Sequence, residues 1–386
     1  MSLKNNKFLR RMAVAVMTGA MMVSMLGMTA FAANTPAIGT NNAASITKYL
    51  VLDANAVVPT ATFTYSIKAG DAVAAKAGKT EIKAGIDVGK ITIGATAFDS
   101  TDTKYTAVQT GDSLTLASGK AYAKESAAID FSQVSFTEPG VYRYVITEDN
   151  TTVEGVIKAA NSIYLDVYVT SDATGALTIS GYVLHNSTEI ADSTTGNYTE
   201  GNEKTVGFVN TYDTGSVSLK KVLQGNQANY GTTYEFTIQV DGKDAEGTSV
   251  SETYNTNYVT DATTGATLTL TSGESETIQL APNQTITIYG LSSSDTYTFK
   301  EKDYSAEGYT TEIEGYDEKV STDTTGLTVT GSKGNKASDD AVVYTNKKNV
   351  TTPTGVILNI APYIMMVALA GVLAFLFLRN KKEREF

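Results

Sequence analysis

The chain has 386 residues, a formal net charge of −11, no cysteine, no tryptophan and a single histidine. This length predicts about two or three domains, and the acidic balance argues against nucleic acid as a partner, because such binding needs cations that neutralise phosphates. The missing cysteines exclude disulfides, and the lone His185 argues against a histidine-paired nucleophile or a histidine-rich metal site, so we expect neither a metal nor another cofactor.

Residues 1–32 are predicted to be a secretory signal peptide. A Met/Ala/Val-rich run follows four basic residues and ends at Ala30-Phe31-Ala32, a small-x-small cleavage site. The basic residues are Lys4, Lys7, Arg10 and Arg11. An uncleaved anchor helix is the alternative, and it is disfavoured because the apolar run is short and ends in that cleavage site.

The middle of the chain is rich in Thr, Val, Tyr, Ile and Gly, and segments that alternate apolar with polar residues recur along it. These segments are TATFTYSI (60–67), VYRYVITE (141–148), NSIYLDVYV (161–169), TYEFTIQV (233–240), TITIYGL (285–291) and TYTFKE (296–301). Turn residues separate them. This pattern is typical of β-sandwich domains and predicts an all-β fold.

An internal repeat divides this middle part into two units, residues 40–212 and 213–350. Each unit opens with a lysine-bearing strand, contains a strand that ends in glutamate, and closes with a hydrophobic-x-Asn strand. The parallel segments are 46–67 and 218–240, then 141–150 and 296–305, then 207–212 and 343–348. The sequence therefore predicts two tandem domains of similar build.

The C-terminus carries a second apolar run, Val356 to Leu378, and 378 − 356 + 1 = 23 residues are enough to cross a bilayer as a helix. Four basic residues follow: Arg379, Lys381, Lys382 and Arg384. A positive flank is typical of the cytoplasmic side of a membrane. We therefore expect the two repeated units to lie outside the cell.

Side-chain alternation places one lysine, one glutamate and one asparagine of each unit on an apolar strand face. In the first unit these are Lys48, Glu148 and Asn210, and in the second they are Lys221, Glu301 and Asn346. Lys220 is the rival of Lys221, and the apolar residues at Val217 and Leu219 favour Lys221 because they share its parity. A single lysine or asparagine at a strand end is usually exposed to solvent. Because the lysine, the glutamate and the asparagine recur in the same order in both units, simple exposure is a weaker interpretation here.

Burial of these groups without partners would be costly. Burial also lowers the pKa of a lysine and raises that of a carboxylic acid. A neutral lysine amine could then attack the asparagine side-chain carbonyl, with the glutamic acid polarising that carbonyl and moving protons to the departing ammonia. The predicted product is an amide between the two side chains, which forms once and does not turn over. A buried ion pair with an adjacent amide is the alternative.

At these motifs the chain resembles the major shaft pilins of Gram-positive, sortase-assembled pili, in particular the two-domain streptococcal T-antigen type. The resemblance rests on FTYSI after the lysine strand, on FSQVSFTEPGVYRYVITE (131–148), on the Asn-ended closing strands and on TPTGVILNIAPYI (352–364). It implies tandem immunoglobulin-like (CnaB-like) β-sandwiches with an internal Lys–Asn isopeptide bond in each. By position, it assigns the bonds to Lys48–Asn210, assisted by Glu148, and to Lys221–Asn346, assisted by Glu301.

The stretch TTPTG followed by an apolar span and a positive tail resembles a sortase sorting signal, which we assign to residues 351–386. We expect cleavage between Thr354 and Gly355. Because Pro353 directly precedes Thr354, the motif departs from the common Leu-Pro-x-Thr-Gly pattern and indicates a dedicated pilus sortase. A plain membrane anchor is the alternative.

Polymerisation by a sortase needs an acceptor lysine on the next subunit. The resemblance places it just before the Asn-ended strand of the first unit, where Lys204 lies. An ordinary exposed loop lysine is an equally good interpretation of Lys204, and Lys158 and Lys120 remain as other candidates.

The sequence and its resemblance together predict a structural subunit of an extracellular, cell-wall-anchored pilus. The expected partners are identical subunits, a pilus-class sortase, peptidoglycan and minor pilins, with a membrane only before cleavage. The alternative is a minor pilin or a wall-anchored adhesin of the same build. We do not expect an enzyme, because a wall hydrolase would need a pair of carboxylates in a cleft and no such pair is marked.

Overall fold

The computed structural model describes residues 43–75, 81–149, 151, 153–158, 162–186, 204–315, 319–323, 325–332, 341–350 and 354–382. The predicted signal peptide at residues 1–32 lies outside these described residues. Apart from one C-terminal helix and two short turns of 3₁₀-helix (Val88–Lys90 and Ser305–Glu307), the described secondary structure consists of strands. The predicted all-β fold is confirmed.

The first domain is built from two main sheets. Its strands are β1 (Ala43–Asp53), β2 (Ala61–Phe63), β3 (Tyr65–Ala69), β4 (Ile82–Ala84), β5 (Thr92–Ile93), β6 (Thr96–Phe98), β7 (Lys120–Asp130), β8 (Gly140–Glu148), β9 (Val156–Lys158), β10 (Ser162–Ser171), β11 (Leu177–His185), β12 (Lys204–Thr205) and β13 (Gly207–Tyr212). One sheet has the order β5-β7-β1-β13-β9, and the other has the order β12-β11-β10-β8-β3, with β4 beside β8. Their facing residues, such as Ile46, Tyr144 and Leu165, are buried in a common core.

The second domain repeats this arrangement. Its strands are β14 (Gly215–Gln224), β15 (Tyr234–Asp241), β16 (Thr253–Asp261), β17 (Ala266–Thr271), β18 (Ser275–Leu280), β19 (Thr285–Leu291), β20 (Thr296–Lys302), β21 (Thr310–Glu314), β22 (Lys319–Asp323), β23 (Gly326–Ser332) and β24 (Ala341–Lys347). The sheets have the orders β17-β16-β19-β14-β24-β21 and β18-β15-β20-β23-β22. In β15 buried and half-buried residues alternate over all eight positions, as the period of a strand with one face on a core requires.

The first and last strands of each domain lie side by side and run parallel. β1 pairs with β13 so that Leu50 lies opposite Asn210. β14 pairs with β24 so that Leu223 lies opposite Asn346. The two ends of each domain are therefore neighbours within one sheet, although more than a hundred residues separate them in the chain.

The segment 60–67, which we predicted as one strand, forms two. β2 pairs with β6, whereas β3 pairs with β8 and places Tyr65 opposite Glu148. The break falls at Thr64, whose carbonyl accepts a hydrogen bond from the Asp149 backbone (2.9 Å) and whose hydroxyl donates to the Asp149 carboxylate (2.7 Å). These contacts turn the chain from one sheet to the other.

The C-terminal helix, α1, spans Thr354–Lys382 and contains Pro362. Its segment Pro362–Arg379 has a mean hydropathy of 2.0 over 18 residues and packs against no other described part of the chain. In length and composition it can cross a membrane, as the predicted span at 356–378 requires.

Candidate functional site

The predicted lysine, glutamate and asparagine of the first domain meet in its core. We call Lys48, Glu148 and Asn210 the first-domain site. Lys48 Nζ donates to Glu148 Oε2, and Asn210 Nδ2 donates to Glu148 Oε1 at 2.6 Å. Each of the three residues is at most 1% exposed. One carboxyl group thus bridges the amine and the amide.

Aromatic rings separate the amine of the first-domain site from solvent. Lys48 Nζ lies 4.5 Å from the ring centroid of Phe63 and 5.9 Å from that of Phe208. Burial lowers the pKa of the Lys48 amine to about 8, because the loss of hydration outweighs the attraction of Glu148. A proton is therefore removed from this amine more easily than from an exposed lysine.

The second domain also brings its three predicted residues together, but here the amine and the amide share one carboxyl oxygen. We call Lys221, Glu301 and Asn346 the second-domain site. Lys221 Nζ lies 2.7 Å from Glu301 Oε1, and Asn346 Nδ2 donates to that same oxygen at 3.0 Å. All three are at most 1% exposed.

The environment of Lys221 also matches that of Lys48. Its Nζ lies 4.7 Å from the ring centroid of Tyr234 and 6.0 Å from that of Phe236. Burial lowers the pKa of the Lys221 amine to about 8. Burial also raises the pKa of the Glu301 carboxyl, by more than its contacts with Lys221 and Asn346 lower it. Lys220, the rival from the sequence, is only half-buried and points away from this cluster.

The shared geometry follows from strand register. In each domain the lysine precedes by two residues the position that lies opposite the asparagine. Because side chains two residues apart share a face, the lysine and the asparagine of two adjacent parallel strands point into the same core. The glutamate reaches them from the facing sheet, at the end of β8 in the first domain and on β20 in the second.

The two asparagine amides have the same orientation. In both sites the amide nitrogen, rather than the carbonyl oxygen, faces the glutamate. We expected the carboxyl to polarise the carbonyl, and in this arrangement it instead contacts the nitrogen that would leave. The carboxyl is thus well placed to deliver a proton to that nitrogen.

The carbonyl oxygens have different surroundings, which sequence reasoning missed. Thr311 lies opposite Asn346 on β21, and its hydroxyl donates to Asn346 Oδ1 at 2.7 Å. In the first domain Lys158 on β9 lies opposite Asn210, and its Nζ donates to the Glu148 backbone carbonyl at 2.6 Å. Among the residues that the structure describes, Asn210 Oδ1 has no hydrogen-bond partner.

Lys204, the first choice for an acceptor lysine, lies on the two-residue edge strand β12, opposite His185 of β11. Lys120 is half-buried at the start of β7. Lys158 is already engaged through its ammonium group beside the first-domain site. Lys204 is itself half-buried, and β9, which carries Lys158, is an edge strand of its sheet as well, so among the described residues neither burial nor an edge position singles out Lys204.

Part of the predicted sorting signal lies outside the described residues, including Pro353. Thr354 and Gly355 begin α1, and the structure does not describe their side chains. Within the described ranges there is no group of three or more acidic or histidine side chains that could hold a metal ion.

Comparison with known proteins gives two adjoining family matches. Residues 45–213 match the family described as Spy0128-like isopeptide containing domain, and residues 215–350 match a domain of unknown function (DUF7601). The curated "Pilin" of Streptococcus pyogenes serotype M1 is 25% identical over 351 residues, which cover 87% of this chain and 90% of the relative.

Solved structures give a likeness of fold. The major pilin protein T3.2 from a Streptococcus pyogenes strain is 22% identical, with a TM-score of 0.50 over 80% of this chain and 98% of that one. A point variant of the major pilin of Streptococcus pyogenes is also 22% identical, with a TM-score of 0.48 over 80% of this chain and 99% of that one. The chain is thus similar over most of its length to streptococcal major pilins, which confirms the resemblance that its sequence indicates.

Proposed function

We propose that this chain is the structural subunit of an extracellular pilus that a sortase polymerises and anchors to the cell wall. In each domain an isopeptide bond, Lys48–Asn210 or Lys221–Asn346, would join the first strand to the last. The observation that carries the proposal is the same buried lysine–glutamate–asparagine cluster, at the same register, in both domains. The similarity to a curated pilin supports it.

The proposed reaction begins with proton transfer from the lysine ammonium to the glutamate, which leaves a neutral amine. Desolvation favours this step because it destabilises both charged groups. The nitrogen lone pair then attacks the asparagine Cγ, and the carbonyl π electrons move onto Oδ1. The resulting tetrahedral intermediate carries its negative charge on that oxygen.

The intermediate collapses when Oδ1 returns its electrons and the bond between Cγ and Nδ2 breaks. The glutamic acid protonates Nδ2 and accepts the second proton of the attacking nitrogen, so the carboxylic acid is regenerated and neutral ammonia leaves. The carboxylate returns only when ammonia takes up that proton and departs as ammonium. Atoms balance: an amine and a primary amide become a secondary amide and ammonia. The chain reacts once per site and is therefore not an enzyme in the sense of turnover.

The proposed bonds suit a fibre under tension. Each bond would join the first and the last strand of a domain, which are adjacent and parallel. A pulling force could then not separate these two strands. A cross-link also reduces the entropy of the unfolded chain, and here it would close loops of 210 − 48 = 162 and 346 − 221 = 125 residues. In the chain-entropy model, loops of this size contribute about 5 kcal/mol each.

Assembly and anchoring complete the proposal. The apolar part of α1 would hold the chain in the membrane until a pilus-class sortase cuts between Thr354 and Gly355. The acyl-enzyme would pass the Thr354 carboxyl to Lys204 of another subunit, or to peptidoglycan at the base of the fibre. Minor pilins are further proposed partners.

Mass spectrometry tests the cross-links directly. The full chain, recovered unfolded from inclusion bodies, is refolded by dilution into detergent and sampled over time. We expect each molecule to lose two ammonia molecules, and tryptic digestion should give one peptide pair linked at Lys48–Asn210 and another at Lys221–Asn346. A folded chain that retains its full mass would contradict the proposed bonds.

Polymerisation has its own test. In a host that carries the cognate sortase, the Lys204→Arg variant should fail to form the ladder of covalent multimers that the wild-type chain forms. Lys120→Arg is the matched control and should leave the ladder intact. A ladder that survives Lys204→Arg would remove this residue as the acceptor without affecting the cross-links inside the domains.

A further inference from the structure

The second-domain site has a fourth polar member, Thr311. The residue lies on β21, the strand beside β24, in direct register with Asn346. Its hydroxyl donates to Asn346 Oδ1 at 2.7 Å, the ordinary distance for an O–H···O hydrogen bond. Thr311 also lies beside Glu301: burial raises the pKa of the Glu301 carboxyl, and a hydrogen bond with Thr311 is one of the contacts that lower it.

The reacting amide of Asn346 thus has a different partner at each end. Its nitrogen donates to Glu301 and its oxygen accepts from Thr311. Attack on Cγ drives negative charge onto the oxygen and later requires a proton on the nitrogen. The Thr311 hydroxyl can stabilise the negative charge on the oxygen, and the Glu301 carboxyl can supply the proton to the nitrogen.

We propose that Thr311 is a catalytic residue of isopeptide formation in the second domain, where its hydroxyl stabilises the negative oxygen of the tetrahedral intermediate. The proposal rests on the proposed Lys221–Asn346 bond and adds a residue to that site. As the Nζ–Cγ bond forms, the carbonyl π electrons collect on Oδ1 and the Thr311 hydrogen bond shortens. When the Cγ–Nδ2 bond breaks and ammonia leaves, the carbonyl re-forms with the hydroxyl still donating to it.

The donor is already in place before the reaction. Because β21 and β24 are hydrogen-bonded neighbours, Thr311 is held opposite Asn346 by the sheet itself. A donor fixed in advance stabilises a developing charge without the reorganisation that water would need. The site is also closed to water, since Lys221, Glu301 and Asn346 are buried.

The first domain provides the contrast. Lys158 occupies the position that corresponds to Thr311, directly opposite Asn210. Its ammonium group donates to the Glu148 backbone carbonyl, and Asn210 Oδ1 lacks a hydrogen-bond partner among the described residues. The first-domain site thus has the nucleophile and the acid but not the hydroxyl, which makes it an internal control for Thr311.

The experiment compares the two bonds within one molecule. The unfolded full chain is refolded as above, and the two cross-linked peptide pairs are quantified over time for the wild type and for Thr311→Val and Thr311→Ser. Valine removes the hydroxyl at nearly constant shape, whereas serine retains it. We expect Thr311→Val to slow the Lys221–Asn346 bond by about 10²-fold, the usual effect of losing one such donor.

The first-domain bond should form at the wild-type rate in all three proteins, and Thr311→Ser should restore most of the rate of the second. A purely structural role would predict slower folding and slower formation of both bonds, or no rescue by serine. If Thr311→Val forms the second bond at the wild-type rate, Thr311 has no catalytic role. If the wild type forms neither bond, the proposed function itself fails, and the role of Thr311 fails with it.

Discussion

The two buried sites contain the same three residue types and differ in the surroundings of the amide carbonyl oxygen. Both lysines lie against two aromatic rings, and burial lowers the pKa of each to about 8. In the second domain a threonine hydroxyl contacts the amide oxygen, whereas the first domain has a lysine at the corresponding strand position. In both sites the lysine and the asparagine lie on the first and last strands of the domain, which we call the terminal strands, and the glutamate lies on the facing sheet. The residue that differs lies on the strand beside the last one, β9 in the first domain and β21 in the second.

This comparison distinguishes the strands that fix the geometry of a site from the strand that can change its reaction rate. The terminal strands must carry the lysine and the asparagine at a fixed register, because the proposed bond joins those two strands. The strand beside the last strand, β9 or β21, carries neither the lysine nor the asparagine, and only in the second domain does its residue opposite the asparagine, Thr311, donate to the amide oxygen. Its sequence can therefore change without loss of the basic geometry. We therefore expect the two bonds to form by one reaction at different rates.

The largest expected difference between the domains is mechanical. If Lys204 is the acceptor, tension enters at Lys204, crosses the Lys221–Asn346 bond and leaves at Thr354. Asn346→Ala should then release 346 − 221 = 125 residues under force, roughly 400 Å of extra length, whereas Asn210→Ala should release none. Force spectroscopy on chains held at residues 204 and 354 measures this. An extension of equal length in both variants would contradict the proposed load path.

Replacement of the glutamates tests the shared acid. Glu148→Gln and Glu301→Gln should each slow bond formation in their own domain by about 10³-fold, within the usual range for a lost general acid–base group. The residual rate should be higher in Glu301→Gln, because Thr311 still contacts the carbonyl there. Time-resolved mass spectrometry of refolding chains gives both rates.

Glu307→Gln, a change of an exposed carboxylate, is the control for these variants and should alter neither rate. A higher residual rate in Glu148→Gln than in Glu301→Gln would argue against the difference that we infer between the two carbonyl environments.

The pH dependence should be similar in both sites, because it reflects the lysine–glutamate pair. In each site the lysine and the glutamate together must hold one exchangeable proton for the reaction to occur. In the reactive form this proton is on the carboxyl group and the amine is neutral. Since burial lowers the pKa of both lysines to about 8, the pair loses this proton above that pH. We expect the rate to be flat below about pH 8 and to fall by about tenfold per pH unit above it, until protonation of the carboxylate limits it at acidic pH.

Refolding in buffers of graded pH, with the two linked peptides quantified separately, measures this profile for both domains at once. A rate that keeps rising well above pH 8 would show that the carboxyl proton is not needed.

The smallest expected effect is that of replacing Lys220, the neighbour of Lys221. Lys220→Ala removes a half-buried side chain that points away from the second-domain site, so it should change the unfolding free energy by no more than about 0.5 kcal/mol and leave the bond intact. Lys221→Ala should abolish that bond. Denaturant unfolding and intact mass of the two variants test the pair, and loss of the bond in Lys220→Ala would reverse the assignment.

Much of the fold follows from local patterns in the sequence. The alternation in TYEFTIQV gives the buried face of β15, and the parity of Val217 and Leu219 favours Lys221 as the inward lysine. The expected strand at 60–67 was correct in character but wrong in extent, because the contacts of Thr64 with Asp149 break it. Asp149 lies far along the chain, so no local pattern could reveal that break.

The candidate sites show the same limit. The repeated order of lysine, glutamate and asparagine led to the six residues that meet in the two cores. Thr311 and Lys158 were missed as members of those sites because neither belongs to the repeated motif. Their positions opposite the asparagines depend on which strand lies at the side of the sheet.

The amino-acid sequence by itself determined the class of the fold, and its internal repeat and its alternation predicted two domains and a set of polar side chains that face the core. These are local properties, since successive side chains on a strand alternate between its two faces. Only the tertiary structure decided which of these groups touch, how each amide is turned and which side chain contacts its oxygen. Those contacts join residues such as Glu148 and Asn210, 62 positions apart, and only strand order and register bring such residues together.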